Sequence, residues 1–277
     1  MAIKKRKKTE SLFTTMRKDV TLPPPKRWLS YRIGNLQGIG KRETQQDAFC
    51  FSNSMDVMEI IENGILAAVA DGMGGMAGGQ LASKIVIDTL LSDFQKMDRQ
   101  GDLAKQLENS VLHCNKLVNA KLHQEGGSTA VAVILYHDWL YYTSVGDSSL
   151  ILKRGDALIR MNRKQNKQSR IWMDTIIAGD MDPTDGNTAE KRKGLTHFIG
   201  MNKLKDLDSL KRPFKLHEGD VLLLCSDGIG EVLTDEEIYK YLRDDDPYEV
   251  CHNLELAVMR HNVKHQDNYT ALVIRCC

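Results

Sequence analysis

The apolar positions of this chain change period several times, and each change marks an element. Gly64 to Ala70 (GILAAVA) is an unbroken apolar run before a glycine-rich stretch, the pattern of a strand buried on both faces. Gln80 to Phe94 (QLASKIVIDTLLSDF) takes up helical spacing. Leu103, Leu107, Val111, Cys114, Val118 and Leu122 recur at intervals of three or four behind Asp102, a natural N-cap. Ser128 to Tyr136, Trp139 to Val145 and Ser149 to Arg154 are short and β-rich, with turn residues between them. They predict an antiparallel meander with Asp147 in a hairpin. Val221 to Cys225 is a further apolar strand, entering Ser226-Asp227-Gly228. Thr234 with Glu237 has capping-box spacing, and Pro247 to Val263 behind Asp246 predicts the last helix. Tyr269 to Arg275 predicts a closing strand.

Two segments break the pattern. Met1 to about Ser30 is rich in lysine and arginine and ends in Pro23-Pro24-Pro25, which predicts a basic, extended, solvated tail at 1-30, outside the core. About Asn162 to Gly194 is polar and without period, and contains the turn Asp182-Pro183-Thr184-Asp185-Gly186. It predicts an irregular, flap-like insert at about 162-194. Between and around them, 31-277 reads as one domain. The order of strands and helices fits mixed α+β better than a repeating βαβ chain.

Composition narrows the class. Hydrophobic residues make up 42% and charged residues 27%, with a formal net charge of +1. That is ordinary for a soluble globular protein and gives no general attraction to nucleic acid. The basic start is not followed by an apolar stretch, so no secretion signal is expected. Runs such as Ala130 to Leu135 are too short to span a bilayer, so no membrane partner is expected either. The six cysteines form no CxxC pair, which favours reduced thiols and a cytoplasmic location. Cys276-Cys277 lacks the C-a-a-X arrangement that lipidation would need.

The candidate chemistry lies in aspartates. Asp47 (RETQQDAF), Asp71 (VADGMGG), Asp227 (LLCSDGIG) and Asp267 (HQDNYT) each stand at the end of an expected strand, and Asp147 (SVGDSS) joins them. Hard divalent cations such as magnesium and manganese take oxygen ligands and keep several waters, so a few convergent carboxylates and a carbonyl can form a site. Taken singly, each Asp-Gly or strand-end aspartate is better explained as a structural turn residue, and only their joint occurrence points to a site. Gly74, Gly75, Gly78 and Gly79 would allow backbone to approach a metal or phosphate closely. The stretch matches neither G-x-x-x-x-G-K-[ST] nor G-x-G-x-x-G, so a nucleotide-binding protein is disfavoured.

Taken in order, RxxQQD at Arg42 to Asp47, VADGMGGMAGGQLAS at Val69 to Ser83, GSTA at Gly127 to Ala130, VGDSS at Val145 to Ser149, LTHFIG at Leu195 to Gly200, LLLCSDGIGEVLTDEEI at Leu222 to Ile238 and QDNYTALVI at Gln266 to Ile274 carry a specific likeness. Through them the chain resembles the metal-dependent type 2C serine/threonine protein phosphatases, and its DGMGG most resembles the bacterial branch. The resemblance covers nearly everything from Tyr31 to the end.

The resemblance implies a four-layer α-β-β-α sandwich with two central, mostly antiparallel sheets. It implies hydrolysis of phosphoserine and phosphothreonine in proteins by a metal-activated water, reversing the work of an opposing Ser/Thr kinase. Two Mn2+ or Mg2+ ions would be held, with a possible third. Asp71 would bridge two ions, and the carbonyl of Gly72 would bind one of them. Asp227 and Asp267 would complete the shell of the second ion, and Asp47 would act nearby through metal-bound water. Arg42 would hold the substrate phosphate, and Asp147 with Asp227 would hold the third ion. A monomer is the expectation. The alternative is a non-catalytic scaffold of the same fold, although such members lose metal aspartates and this chain keeps them.

Some positions depart from the family pattern. Gln45 stands where asparagine is common, Met76 where bacterial members often have histidine, and Ser149 where arginine is common. The usual D-H-S segment is not recognisable within Asn162 to Ser169. No histidine falls in a motif as general acid, and no C-x5-R loop surrounds a cysteine.

Overall fold

Side chains alternate across a strand, so a strand that is apolar at every position must be covered on both faces. In the computed structural model, which describes residues 28–52, 56–177 and 194–277, that requirement produces two stacked sheets with a helical layer on each outer face. In chain order the first elements are β1 (Tyr31–Gly38), β2 (Asp47–Phe51), α1 (Val57–Asn63), β3 (Ile65–Gly74), α2 (Met76–Phe94) and α3 (Leu103–Leu122). Five strands and a helix follow: β4 (Gly126–Ser128), β5 (Ala130–Tyr136), β6 (Trp139–Val145), β7 (Ser149–Arg154), β8 (Ala157–Arg160) and α4 (Lys167–Ile177). The last third holds β9 (Asp208–Ser209), β10 (Phe214–Lys215), β11 (Val221–Cys225), α5 (Asp227–Gly230), α6 (Asp235–Tyr241), α7 (Pro247–His261) and β12 (Tyr269–Cys276).

One sheet has the order β1-β12-β11-β7-β8, and the other β10-β6-β5-β3-β2, with β4 on β3 and β9 on β6; the pairings are antiparallel. The parity of each central strand then sorts its residues. On β3, Ile65, Ala67 and Val69 face the other sheet, while Leu66, Ala68 and Ala70 face α2 and α3. On β11, Leu222 and Leu224 meet them between the sheets, while Val221, Leu223 and Cys225 pack under α6 and α7. Each large aliphatic side chain buried this way contributes about 1.5–3 kcal/mol. The four-layer α-β-β-α arrangement follows directly.

Most expected elements are present with their caps. Asp102 Oδ1 accepts from Lys105 N at 3.0 Å, the Thr234–Glu237 capping box is closed in both directions, and Asp246 caps α7 with Pro247 in its first turn. Three expectations need correction. First, β6 and β7 do not form a hairpin. β6 stays with β5, while β7 crosses to the other sheet between β11 and β8, so Asp147 lies on a crossover. Ser149 to Leu152 are all buried, and only an interior position between two strands satisfies both faces of such a segment. Second, Asp71 is not in a turn: β3 continues through Gly72, Met73 and Gly74, which pair with β4. Third, the described part of the insert is not irregular throughout. Asn166 Oδ1 accepts from Ser169 N at 2.9 Å and starts α4.

The remainder of the insert, 178–193, and residues 1–27 of the basic segment lie outside the described residues. The end of that basic segment is already part of the packed body. Trp28 stacks on His137 with ring centroids 3.9 Å apart, and Leu29 N donates to Asp138 Oδ1 at 3.0 Å. Ser30 and Cys277 exchange backbone hydrogen bonds. Among the described residues no helix is long and apolar enough to cross a membrane.

Candidate active site

The expected aspartates come from both sheets and meet at one end of the sandwich. Asp47, the first residue of β2, is the antiparallel register partner of Asp71 on β3. The main chain of Asp71 is fixed by Thr129: its N–H donates to Thr129 Oγ1 at 3.0 Å, and its carbonyl accepts from Thr129 N at 2.8 Å. Gly72 N donates to Gln46 O at 3.1 Å, and a Cβ on Gly72 would lie 2.2 Å from Gly79 O. From the second sheet, Asp227 follows β11 at the start of α5, and Asp267 stands two residues before β12. Asp147 reaches the same cleft from the sheet crossover.

Arg42, Asp147, Asp227 and Asp267 line a cleft of about 840 Å3, together with Asn166, Glu231 and others. Asp47 and Asp71 stand behind it, where Asp47 is only 6% exposed. Arg42 pairs with Asp267 Oδ2, so the residue expected to take phosphate and one expected to take metal engage each other here. Both side chains are about half exposed, which makes this a weak, exchangeable contact.

The electrostatics are those of crowded like charges. Burial raises the Asp71 carboxyl well above its ordinary range, and Asp227, Asp47 and Asp147 add to the shift. Burial, then Asp147, Glu231, Asp267 and Asp47, push Asp227 up to about 7. Burial raises Asp47 to about 6, against hydrogen bonds from Ser226 and Thr270 that favour its ionised form. Asp147 is raised by burial, with Lys164 and the Asn166 amide acting in the opposite sense. Carboxylates placed so that each disfavours the ionisation of the next call for positive charge among them.

A set of hard oxygen donors with an unsatisfied member fits a divalent cation. Among the described residues, Asp227 Oδ1 is buried with no hydrogen-bond partner. No three carboxylate, histidine or cysteine side chains close on a single point among those residues. Manganese and magnesium keep several waters and use only a few protein oxygens. Asp267 is engaged by Arg42.

Several supports were not singled out from the sequence, although they flank the motif aspartates. Ser226 Oγ donates to Asp47 Oδ2 at 2.8 Å and accepts from Thr270 N at 3.0 Å, tying the two sheets together beside the cluster. Asn268, only 3% exposed, accepts from Gln46 N at 2.8 Å and donates to Ile39 O and Thr44 O at 2.9 and 3.1 Å. One amide thus holds both ends of the loop that carries Arg42. Gln45 takes part in the same loop: its Oε1 accepts from Asp47 N at 3.0 Å and its Nε2 donates to Gly38 O at 3.1 Å. Adjacency in Ser-Asp-Gly and Asp-Asn was the available signal, but the partners of Ser226 and Asn268 lie far away in sequence.

Comparison with known proteins bears on what such a site does. Residues 39–260 match the family model described as Protein phosphatase 2C. The serine/threonine protein phosphatase PstP of Mycobacterium tuberculosis is 28% identical over 200 residues, covering 70% of this chain and 37% of that protein, so this chain spans well under half of that relative. Protein phosphatase PhpP of Streptococcus pneumoniae is 26% identical over 190 residues, 65% of this chain and 73% of its own length. The solved catalytic domain of PstP in complex with two manganese ions has a TM-score of 0.71 at 25% identity, covering 90% of this chain and 99% of that chain. PppA, a key regulatory component of T6SS in Pseudomonas aeruginosa, gives 0.71 at 26% identity with the same coverage.

Proposed function

The chain belongs to the protein phosphatase 2C family, and we propose that it hydrolyses phosphoserine and phosphothreonine in proteins, with manganese or magnesium ions as cofactor. The observation that carries this reading is the mutually repelling cluster of Asp47, Asp71, Asp147 and Asp227 behind an open cleft edged by Arg42. The relatives named as serine/threonine phosphatases and the manganese complex of PstP support it.

Asp71 would hold two ions, with the carbonyl of Gly72 on one and Asp227 and Asp267 on the other. Asp47 would act behind Asp71, its carboxylate oriented by Ser226. Bound divalent ions supply a water that loses its proton near neutral pH and positive charge against the phosphoryl oxygens. The chain's own part is to position. Arg42 leaves Asp267 and offers a planar guanidinium to two phosphate oxygens. Asn268 keeps the Arg42 loop in place, and the Asp47–Asp71 register holds the carboxylates against their repulsion. A third ion, if bound, would lie between Asp147 and Asp227. The physiological setting proposed is the cytoplasm, with phosphoproteins made by an opposing kinase as substrates and the protein acting as a monomer.

The test is purified protein with a phosphothreonine peptide, with manganese, with chelator, and with Asp71→Asn or Asp227→Asn. Phosphate release that needs the metal and both aspartates is expected. Absence of release under several metals and peptides overturns the phosphatase reading, and undiminished release in both variants overturns the site.

A further inference from the structure

A lysine of the chain pairs with one of the acids that line the cleft. Lys164 lies between β8 and α4 with its side chain 22% exposed, and its Nζ is 3.7 Å from Glu231 Oε1. Glu231 follows α5 and lines the cleft with Asp147 and Asp227. The Lys164 charge also acts on Asp147, where it opposes the effect of burial. The lysine therefore stands beside Glu231, on the segment that is tied to the Asp147 crossover.

Its position is built rather than incidental. The neighbouring Gln165 is 4% exposed, and its N–H donates to Gly146 O at 2.8 Å while its Oε1 accepts from Gly146 N at 3.0 Å. That two-way bond fastens the Lys164 segment to the crossover that carries Asp147. The next residue, Asn166, donates to Asp147 Oδ2 at 3.4 Å. Arg163 N, on the other side, donates to Asp208 Oδ2 at 2.6 Å. Backbone anchors on both sides thus hold the Lys164 segment in place beside Glu231.

We propose that Lys164 supplies, beside Asp147 and Glu231, the positive charge that a third divalent ion would otherwise bring, so that this chain binds two ions and not three. The inference rests on the two-ion reading of the site. A divalent ion between Asp147 and Asp227 would meet the lysine charge in a half-buried cleft where screening by water is reduced. Lys164 also already offsets part of the negative charge that would attract such an ion.

The test is manganese stoichiometry on the full chain, measured by equilibrium dialysis with metal analysis and by calorimetric titration. Wild type and Lys164→Arg are expected to bind two ions. Lys164→Gln is expected to bind a third, and Lys164→Gln combined with Asp147→Asn to return to two. Three ions in wild type or in Lys164→Arg, two in Lys164→Gln, or three retained in the double variant would each overturn the proposal. No bound manganese in wild type overturns the two-ion reading itself and this inference with it. Wild type holding two ions while Lys164→Gln also holds two overturns the lysine proposal alone. Circular dichroism of each variant confirms that a changed count is not caused by unfolding.

Discussion

Asp47 and Asp71 are register partners on adjacent antiparallel strands, two carboxylates held opposite each other by the ladder of β2 and β3. Ser226 reaches Asp47 from the other sheet at 2.8 Å, so the pair is fixed by elements remote in sequence. The fold holds these groups together against their repulsion, and the consequences are measurable.

In the metal-free protein the raised carboxyls make stability depend on pH. Asp47 is pushed up to about 6 and Asp227 up to about 7, so between the unfolded carboxyl range and those values the folded chain holds more protons than the unfolded one. Stability from this source is fully present below roughly pH 4 and is lost as pH rises through about 6 to 7, by about 1.4 kcal/mol per pH unit for each extra proton. Chelated protein should melt at a lower temperature at pH 8 than at pH 5, and manganese should raise Tm more at pH 8. A chelated Tm that climbs between those pH values would contradict the repulsive cluster.

Removing one charge should separate function from stability. Asp71→Asn and Asp227→Asn are expected to lower metal-dependent phosphate release by about 100-fold or more. Because each takes away a buried like charge, each should also raise Tm in chelator at pH 8. Calorimetry and the peptide assay on the same preparations check both directions.

Two neighbouring glycines should respond differently. In Gly72→Ala the new methyl would lie 2.2 Å from Gly79 O and 2.6 Å from Gln46 O, both backbone atoms, whereas at Gly75 there is nothing within 4 Å. Gly72→Ala is expected to cost about 2–4 kcal/mol and most of the activity, and Gly75→Ala less than about 1 kcal/mol. Denaturant unfolding measures the contrast.

Asn268→Ala removes three hydrogen bonds from a buried amide and leaves their partners unmet. A loss of about 2–4 kcal/mol is expected, with a rise in KM as the Arg42 loop loosens. An unchanged KM would mean that the loop does not need this clamp.

Arg42→Lys keeps the charge but loses the planar fork. A fall in kcat/KM of about 10-fold or more is expected, and Arg42→Ala should fall further. Equal activity of the lysine variant would indicate that Arg42 acts only as a point charge.

Much of this protein was legible in its sequence because much of it is local. Asp102, Thr234 with Glu237, and Asp246 with Pro247 announced helix starts, since capping is settled within three or four residues. The strands Trp139–Val145 and Ser149–Arg154 were legible to the residue from apolar runs between turn residues. The two weak points were also physical. The segment from Lys167 is amphipathic over only eleven residues inside a long polar stretch, and it forms a helix behind Asn166, whose side chain caps it. The Gly72–Gly74 stretch has little strand propensity of its own and is held extended by pairing with β4.

The sequence by itself determined the elements, their caps, the apolar parity that demands two covered sheets, and the aspartates in their motifs. Those are properties of residues and their near neighbours. Only the tertiary structure decided that β7 leaves β6 for the other sheet, that Asp47 faces Asp71 while Arg42 meets Asp267, and that Lys164 meets Glu231. Period and propensity cannot say which partner a strand will choose, because that choice depends on burying two faces at once against residues tens to hundreds of positions away.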